Sequence, residues 1–146
     1  MASCLDVAKY ILEKKGAVTA MKLQKLVYYS QAWSLVWDEA PIFHENIEAW
    51  ANGPVVRALF EKHRGQFKVE DIAGGDSGQL TQEQKETIDA ILEYYGPRSS
   101  QWLSDLTHAE DPWRKARGFC PVGGWCDNVI TLESMEEYYS SLQPDE

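Results

Sequence analysis

Residues 21 to 33 read M-K-L-Q-K-L-V-Y-Y-S-Q-A-W, and residues 47 to 56 read I-E-A-W-A-N-G-P-V-V. With Thr19 as its N-cap, the first stretch places Leu23, Leu26, Val27, Ser30, Trp33, Ser34 and Trp37 within about 120° of arc at 100° per residue. Tyr28, Tyr29, Ala32, Leu35 and Val36 fall outside that arc, so the helix is apolar nearly all round. It is either a central helix packed on both sides, the preferred reading, or one that offers an aromatic face to a partner. Between Pro41 and Trp50 the alternation of Ile42, Phe43, Ile47 and Trp50 with polar residues is too short for a helix and fits an extended or weakly β segment. Asn52-Gly53-Pro54 then turns the chain. Gly53 permits positive φ, and Pro54 suits the first position of a new helix through about His63. Many large rings thus cluster around one Gly-Pro turn with almost no catalytic polar group among them, a composition suited to a binder more than to an enzyme.

Working outward, Ser3 and Asp6 form a capping-box-like start for a first amphipathic helix, with Cys4, Val7, Ala8 and Ile11 on one face and Gly16 as its stop. Residues 73 to 79, A-G-G-D-S-G-Q, read as a loop. Thr81 and Gln84 make a second capping box for a helix carrying Ile88, Ile91, Leu92 and Tyr95, terminated by Gly96-Pro97. A further helix is predicted over Ser99 to Thr107 with Trp102, Leu103 and Leu106 inward, and a short one after Pro112, capped by Thr107 or Asp111, with Trp113 tucked into the core. Residues 118 to 130 are irregular. Thr131 caps the last helix, whose stripe is Leu132, Met135, Tyr139 and Leu142. The expected fold class is mostly α (α+β): a single compact helical domain over 1–146 with a small β element.

The 146 residues, 44 % apolar with six Trp and seven Tyr, suffice for one continuous core without disulfides or metals. No apolar run approaches the roughly 18 residues of a membrane span, and the N-terminus lacks the order of a secretion signal, so a soluble, cytoplasmic protein is expected. Cys4, Cys120 and Cys126 are odd in number with no close repeated spacing, which makes reduced thiols the default. Fourteen basic against 23 acidic side chains give a net charge of −9, which argues against binding a phosphate backbone and favours a basic partner. Within residues 1 to 37, Lys9, Lys14, Lys15, Lys22 and Lys25 stand against Asp6 and Glu13, a local +3 that leaves −12 for the remainder. A solvated helix face explains this better than a basic binding site.

The candidates for chemistry are weak. His108-Ala109-Glu110 matches the first half of a zinc-deaminase pattern, but Cys120 and Cys126 are separated by five residues where such sites need two, so no metal and no cofactor are expected. Neither a G-x-S-x-G elbow nor a Cys/His pairing in recognisable context is present. Asp105, Glu110 and Asp111 read as surface-turn carboxylates, and G-G-D-S-G at 74 to 78 lacks the lysine and preceding strand of a phosphate loop. Arg114, Lys115 and Arg117 form a short basic face of the kind that contacts solvent or neighbouring carboxylates.

Three blocks, M-K-L-Q-K-L-V-Y-Y-S-Q-A-W, I-E-A-W-A-N-G-P-V-V and L-S-D-L-T-H-A-E-D-P-W (103 to 113), together with M-E-E-Y-Y (135 to 139), resemble in order the Panacea antitoxin domain, also described as SocA-like or phage-associated GepA-like. The resemblance implies a mostly helical, non-enzymatic protein of a bacterial or prophage toxin-antitoxin system that neutralises its toxin by direct binding. Family toxins include nucleotide enzymes resembling alarmone synthetases and membrane-active proteins. The SocA branch instead delivers its toxin to the ClpXP protease, so a proteolytic adaptor is the alternative reading and a small metal-dependent hydrolase a distant one. The chain has no spare length for a separate DNA-binding helix-turn-helix. The toxin-facing surface is expected to be built or supported by Tyr28, Tyr29, Trp50, Asn52, Gly53, Pro54, Val55 and Arg57, although the same blocks also suit a core. The expected contact surface of the toxin is basic.

Overall fold

The structure, a computed structural model, describes residues 1–142; residues 143–146 of the expected domain lie outside the described residues. Helix α2 (Ala20–Trp37) is its axis, with α1 (Cys4–Lys15), α4 (Gln82–Tyr95), α5 (Ser100–Ala109) and α7 (Leu132–Ser140) all packed against it. The central-helix reading of residues 21 to 37 is therefore the observed one. Thr19 Oγ accepts from the Lys22 amide at 3.1 Å, and both capping boxes, Ser3 with Asp6 and Thr81 with Gln84, are fully formed. Each such cap holds orphan amides at a helix start and is worth about 1 kcal/mol.

Because α2 has no solvent face, its polar residues must find partners inside. Gln24 and Gln31, seven residues apart and so on one face, grip by the backbone the strand that ends at Val56 and the non-helical segment at Ile42-Phe43 respectively. Gln31 Oε1 accepts from the Ile42 and Phe43 amides at 2.8 and 3.3 Å while its Nε2 donates to the Phe43 carbonyl at 2.8 Å. Gln24 Oε1 accepts from the Val56 amide at 2.8 Å, and its Nε2 faces the Val56 carbonyl at 3.3 Å and His63 Nε2 at 2.9 Å. Two side chains thus fix where the extended segments sit against the helix.

Strand β2 (Ile47–Trp50) pairs with β3 (Gly53–Val56) as a hairpin around Ala51-Asn52, and on its other edge with β5 (Val129–Ile130), giving the order β3-β2-β5. A two-stranded sheet joins β1 (Val18–Thr19) to β4 (Lys68–Val69). The hairpin corrects the expectation that Pro54 opens a helix: Pro54 sits in β3 opposite Ala49, and α3 (Arg57–His63) begins three residues later. Its missing amide is tolerated because β3 is an edge strand, and the β-branched pair Val55-Val56 favours extended chain.

The carboxy-terminal half holds further corrections. Helix α6 (Asp111–Arg117) is capped by Glu110 without a side-chain bond; Thr107 Oγ donates back to the Ser104 carbonyl at 2.7 Å, and Asp111 is within 3.7 and 3.8 Å of Arg114 and Lys115. Arg117, expected in solvent, is buried and donates to the carbonyls of Ala49, Pro121 and Gly124. Trp102, Leu132 and Leu142 are exposed, whereas Leu103, Met135 and Tyr139 are in the core as expected. Cys120 and Cys126 form a disulfide with their Cα atoms 5.8 Å apart, contrary to the expected free thiols, and Cys4 is free and buried. The turn at Pro121 to Gly124, closed by the Gly124 amide on the Pro121 carbonyl at 2.9 Å, folds residues 120–126 back on themselves. Among the described residues no helix is long and apolar enough to cross a membrane.

Candidate functional site

Tyr28 and Tyr29, expected to build or support a surface, are both sealed in the core. Tyr29 stacks on Tyr95 with centroids 4.2 Å apart, and the hydroxyls of Tyr29 and Tyr139 each donate to Glu110 Oε1 at 2.7 Å. Burial raises the Glu110 pKa despite these two donors, and Tyr28 reaches the network through Tyr139 at 2.9 Å. These rings knit α2, α4 and α7 together around Glu110 and present nothing to a partner.

The other six residues of that set converge on the β2–β3 hairpin. Trp50 is half-buried and packs on Phe60 (centroids 4.9 Å apart) and Trp125 (5.3 Å). The Arg57 guanidinium lies 5.4 Å from the Trp50 ring centre and 5.7 Å from that of Trp125, held there by Glu48, which accepts from Arg57 at 2.9 and 3.0 Å and from Trp50 Nε1 at 2.8 Å. The fixed fork makes Arg57 a preorganised, partly exposed cation over two indoles. Asn52 is exposed at the turn, while Gly53, Pro54 and Val55 are buried beneath it. Gly53 has φ 125°, and a Cβ there would meet Lys25 Cε at 2.5 Å and Thr107 Oγ at 3.0 Å, so backbone geometry and close approach both require glycine.

Beside the hairpin lies a cleft of about 470 Å³ whose lining includes Met21, Gln24, Lys25, Trp50, Asn52, Val55, Phe60, His63, Gly123, Gly124 and Trp125. Gly123, Gly124 and Trp125 of the disulfide-closed loop form its lip; Trp125 is 64 % exposed, and Val122 on the same loop and Phe119 just before it are fully exposed. Sequence reasoning passed over Val122 and Trp125 because a Gly- and Cys-rich stretch has no periodicity; two apolar side chains flanking two glycines between cysteines were the available signal. Phe60, on the short α3, was passed over as well. It also passed over Lys25, which is 1 % exposed. Its Nζ donates to the Pro54 carbonyl at 3.2 Å, and burial pushes its pKa down to about 8. The signal was present: a lysine on a helix that is apolar all round has no solvent face to occupy.

Across the turn, His108 stacks on Trp113 with centroids 4.2 Å apart and its Nε2 is buried without a hydrogen-bond partner. Burial, then the nearby Lys25 charge, lowers its pKa. A second cleft of about 460 Å³ does join His108 to Cys120, but the Cys120 sulfur is bonded to Cys126. Among the described residues no three His, Cys, Asp or Glu side chains are grouped so as to hold a metal ion. A third cleft, about 500 Å³ and lined by Trp33, Trp37, Tyr94, Trp102 and Leu142 among others, lies at the opposite end of α2. On α2 the nearest lining residues of the two clefts, Lys25 and Trp33, are eight residues apart, roughly 12 Å at 1.5 Å per residue.

A family model described as "Antitoxin SocA-like, Panacea domain" matches residues 23–114, which run from α2 to the middle of α6 and contain the whole hairpin. The chain belongs to that antitoxin family. The match is narrower than the sequence blocks suggested: α1, α7 and the disulfide loop lie outside it, so the lip of the cleft is contributed by residues beyond the family's matched segment. No curated protein and no solved structure matches the chain.

Proposed function

We propose that this Panacea-domain protein acts in the cytoplasm as the antitoxin of a toxin-antitoxin pair, neutralising a cognate protein toxin by direct, non-enzymatic binding through the hairpin and the disulfide loop. The supporting observation is Trp50 packed on the exposed Trp125 with the Arg57 guanidinium over both rings, a patch of indole and guanidinium; the exposed Phe119 and Val122 stand on the same stretch of chain as Trp125. Such residues concentrate affinity at interfaces, at about 2 kcal/mol or more per well-packed anchor. Asn52 and Arg57 would contact the toxin directly, Gly53, Pro54 and Val55 would hold the hairpin that presents them, and Tyr28 and Tyr29 would contribute only through the core. With a net charge of −9, the fitting toxin has a basic contact surface. The test is growth rescue on co-expression with the product of the adjacent open reading frame. Trp125→Ala and Phe119→Ala together should abolish rescue while leaving the thermal midpoint unchanged; full neutralisation by the folded double variant would refute the reading.

The alternative reading, an adaptor for a ClpXP-type protease, needs a second protein-binding surface. The cleft at the far end of α2, with Trp37, Tyr94 and Trp102 exposed and Arg98 over the Tyr94 and Trp102 rings, is of that kind. A toxin whose half-life falls on co-expression in wild-type cells, but not in cells lacking the protease, would favour it.

A further inference from the structure

Lys25 is an ammonium removed from water with one acceptor for three donor hydrogens. Among the described residues no carboxylate lies within 4.0 Å of it. Buried charges are ordinarily paired, and an unpaired one is costly, so a cation kept this way beside an open cleft marks a place where a counter-ion is brought by something else. The cleft it lines carries no Asp or Glu on a chain of net charge −9; its ionisable side chains are Lys25 and His63. Ala20 and Met21, the first residues of the 18-residue α2, also line it, adding the positive end of a long helix to the same space. The opposite wall is Trp50, Phe60 and Trp125.

We infer that this cleft is the seat of a carboxylate carried on an apolar group, with the carboxylate completing the hydrogen bonding of Lys25 Nζ and the apolar part lying on Trp50, Phe60 and Trp125. Resting on the function proposed above, we assign the carboxylate to the bound toxin, from an acidic side chain or the chain terminus next to an apolar residue. The cleft takes a single anionic anchor, while the net charge of −9 on the chain as a whole favours a basic surface on the rest of the toxin. The Asn52 turn and the glycines 123 and 124, which carry no side chain into the space, leave room for a polypeptide to enter.

A matched pair of probes, 3-phenylpropionate and 3-phenylpropanamide, separates charge from shape. Titrated into the ¹⁵N-labelled chain, the acid should shift the indole signals of Trp50 and Trp125 with a Kd of about 1–10 mM, the range expected from the ligand efficiency of so small a probe. The amide should bind at least about tenfold more weakly, and Lys25→Met should remove that difference. Equal binding of acid and amide to the unaltered chain, or no binding of either, overturns the inference without relying on any variant. A second arm adds the acid to the complex with the product of the adjacent open reading frame. Displacement supports assignment to the toxin; binding of the acid to the complex without displacement overturns that assignment while leaving the antitoxin reading intact. If no complex forms but the acid still binds selectively, the assignment to that product is overturned along with the antitoxin reading, and the cleft's anion chemistry alone is kept.

Discussion

Replacing Lys25 by Met should make the protein more stable, although it removes a buried hydrogen bond. The lysine pKa falls from 10.5 to about 8 on burial. At 1.36 kcal/mol per pH unit that gap corresponds to roughly 3 kcal/mol of destabilisation at neutral pH, where the folded ammonium is still charged. Losing the donor leaves the Pro54 carbonyl without its partner, which costs about 1–2 kcal/mol. Methionine has a similar shape and fills the same channel without charge. The net expectation is a gain of about 1–2 kcal/mol at pH 7, or roughly 3–6 °C in thermal midpoint for a chain of this size. The sign follows from the depressed pKa of a base: between the folded value near 8 and the unfolded value of 10.5 the unfolded chain binds more protons. The penalty is therefore complete below about pH 8 and fades as pH rises towards 10.5, so the advantage of the variant should vanish or reverse by about pH 10. Urea unfolding of both proteins at pH 7, 8.5 and 10 tests this. A variant less stable at pH 7 by 1 kcal/mol or more, with a difference independent of pH, would show that Lys25 is structurally compensated and refute the reasoning.

Three further outcomes follow from the same geometry. Gly53→Ala should cost about 1–3 kcal/mol in urea unfolding, because φ 125° and a 2.5 Å approach to Lys25 Cε both oppose a side chain there. Cys120→Ser with Cys126→Ser should raise amide exchange across residues 118–128 and weaken toxin binding, while the amides of α2 keep their protection, since the loop lies outside the central packing. Toxin association should slow as salt rises from about 0.05 to 0.5 M with little change in dissociation, the signature of charge steering by an acidic chain; stopped-flow rates indifferent to salt would remove the basic-partner expectation.

How much of this was readable in advance depended on whether the information was local. Ser3 with Asp6, Thr19, and Thr81 with Gln84 stand within one turn of the amides they satisfy, so the starts of α1, α2 and α4 were legible. The all-round apolarity of residues 21 to 37 likewise announced a central helix. Pro54 was misread because the local preference of proline for a helix start competes with a pairing to Ala49 that exists only once the hairpin closes. Arg117 was misread for a similar reason: its acceptors at Ala49, Pro121 and Gly124 come from a distant strand and an irregular loop, and no helical pattern reports them. The candidate site was half legible. Trp50, Asn52 and Arg57 were in hand, but the ring that completes the wall, Trp125, arrives from 75 residues away on a loop whose closure depends on the Cys120–Cys126 pairing. Tyr28 and Tyr29 show the converse, since rings in surplus on one helix are used by α4, α7 and Glu110 in the core.

The most direct test of the account is hydrogen–deuterium exchange of the protein alone and bound to the product of its adjacent open reading frame. Binding through the hairpin should slow exchange at residues 50–57 and 118–126 and leave residues 90–102, at the other end of α2, unchanged. Protection confined to residues 90–102, with the hairpin and disulfide loop exchanging as in the free chain, would contradict it.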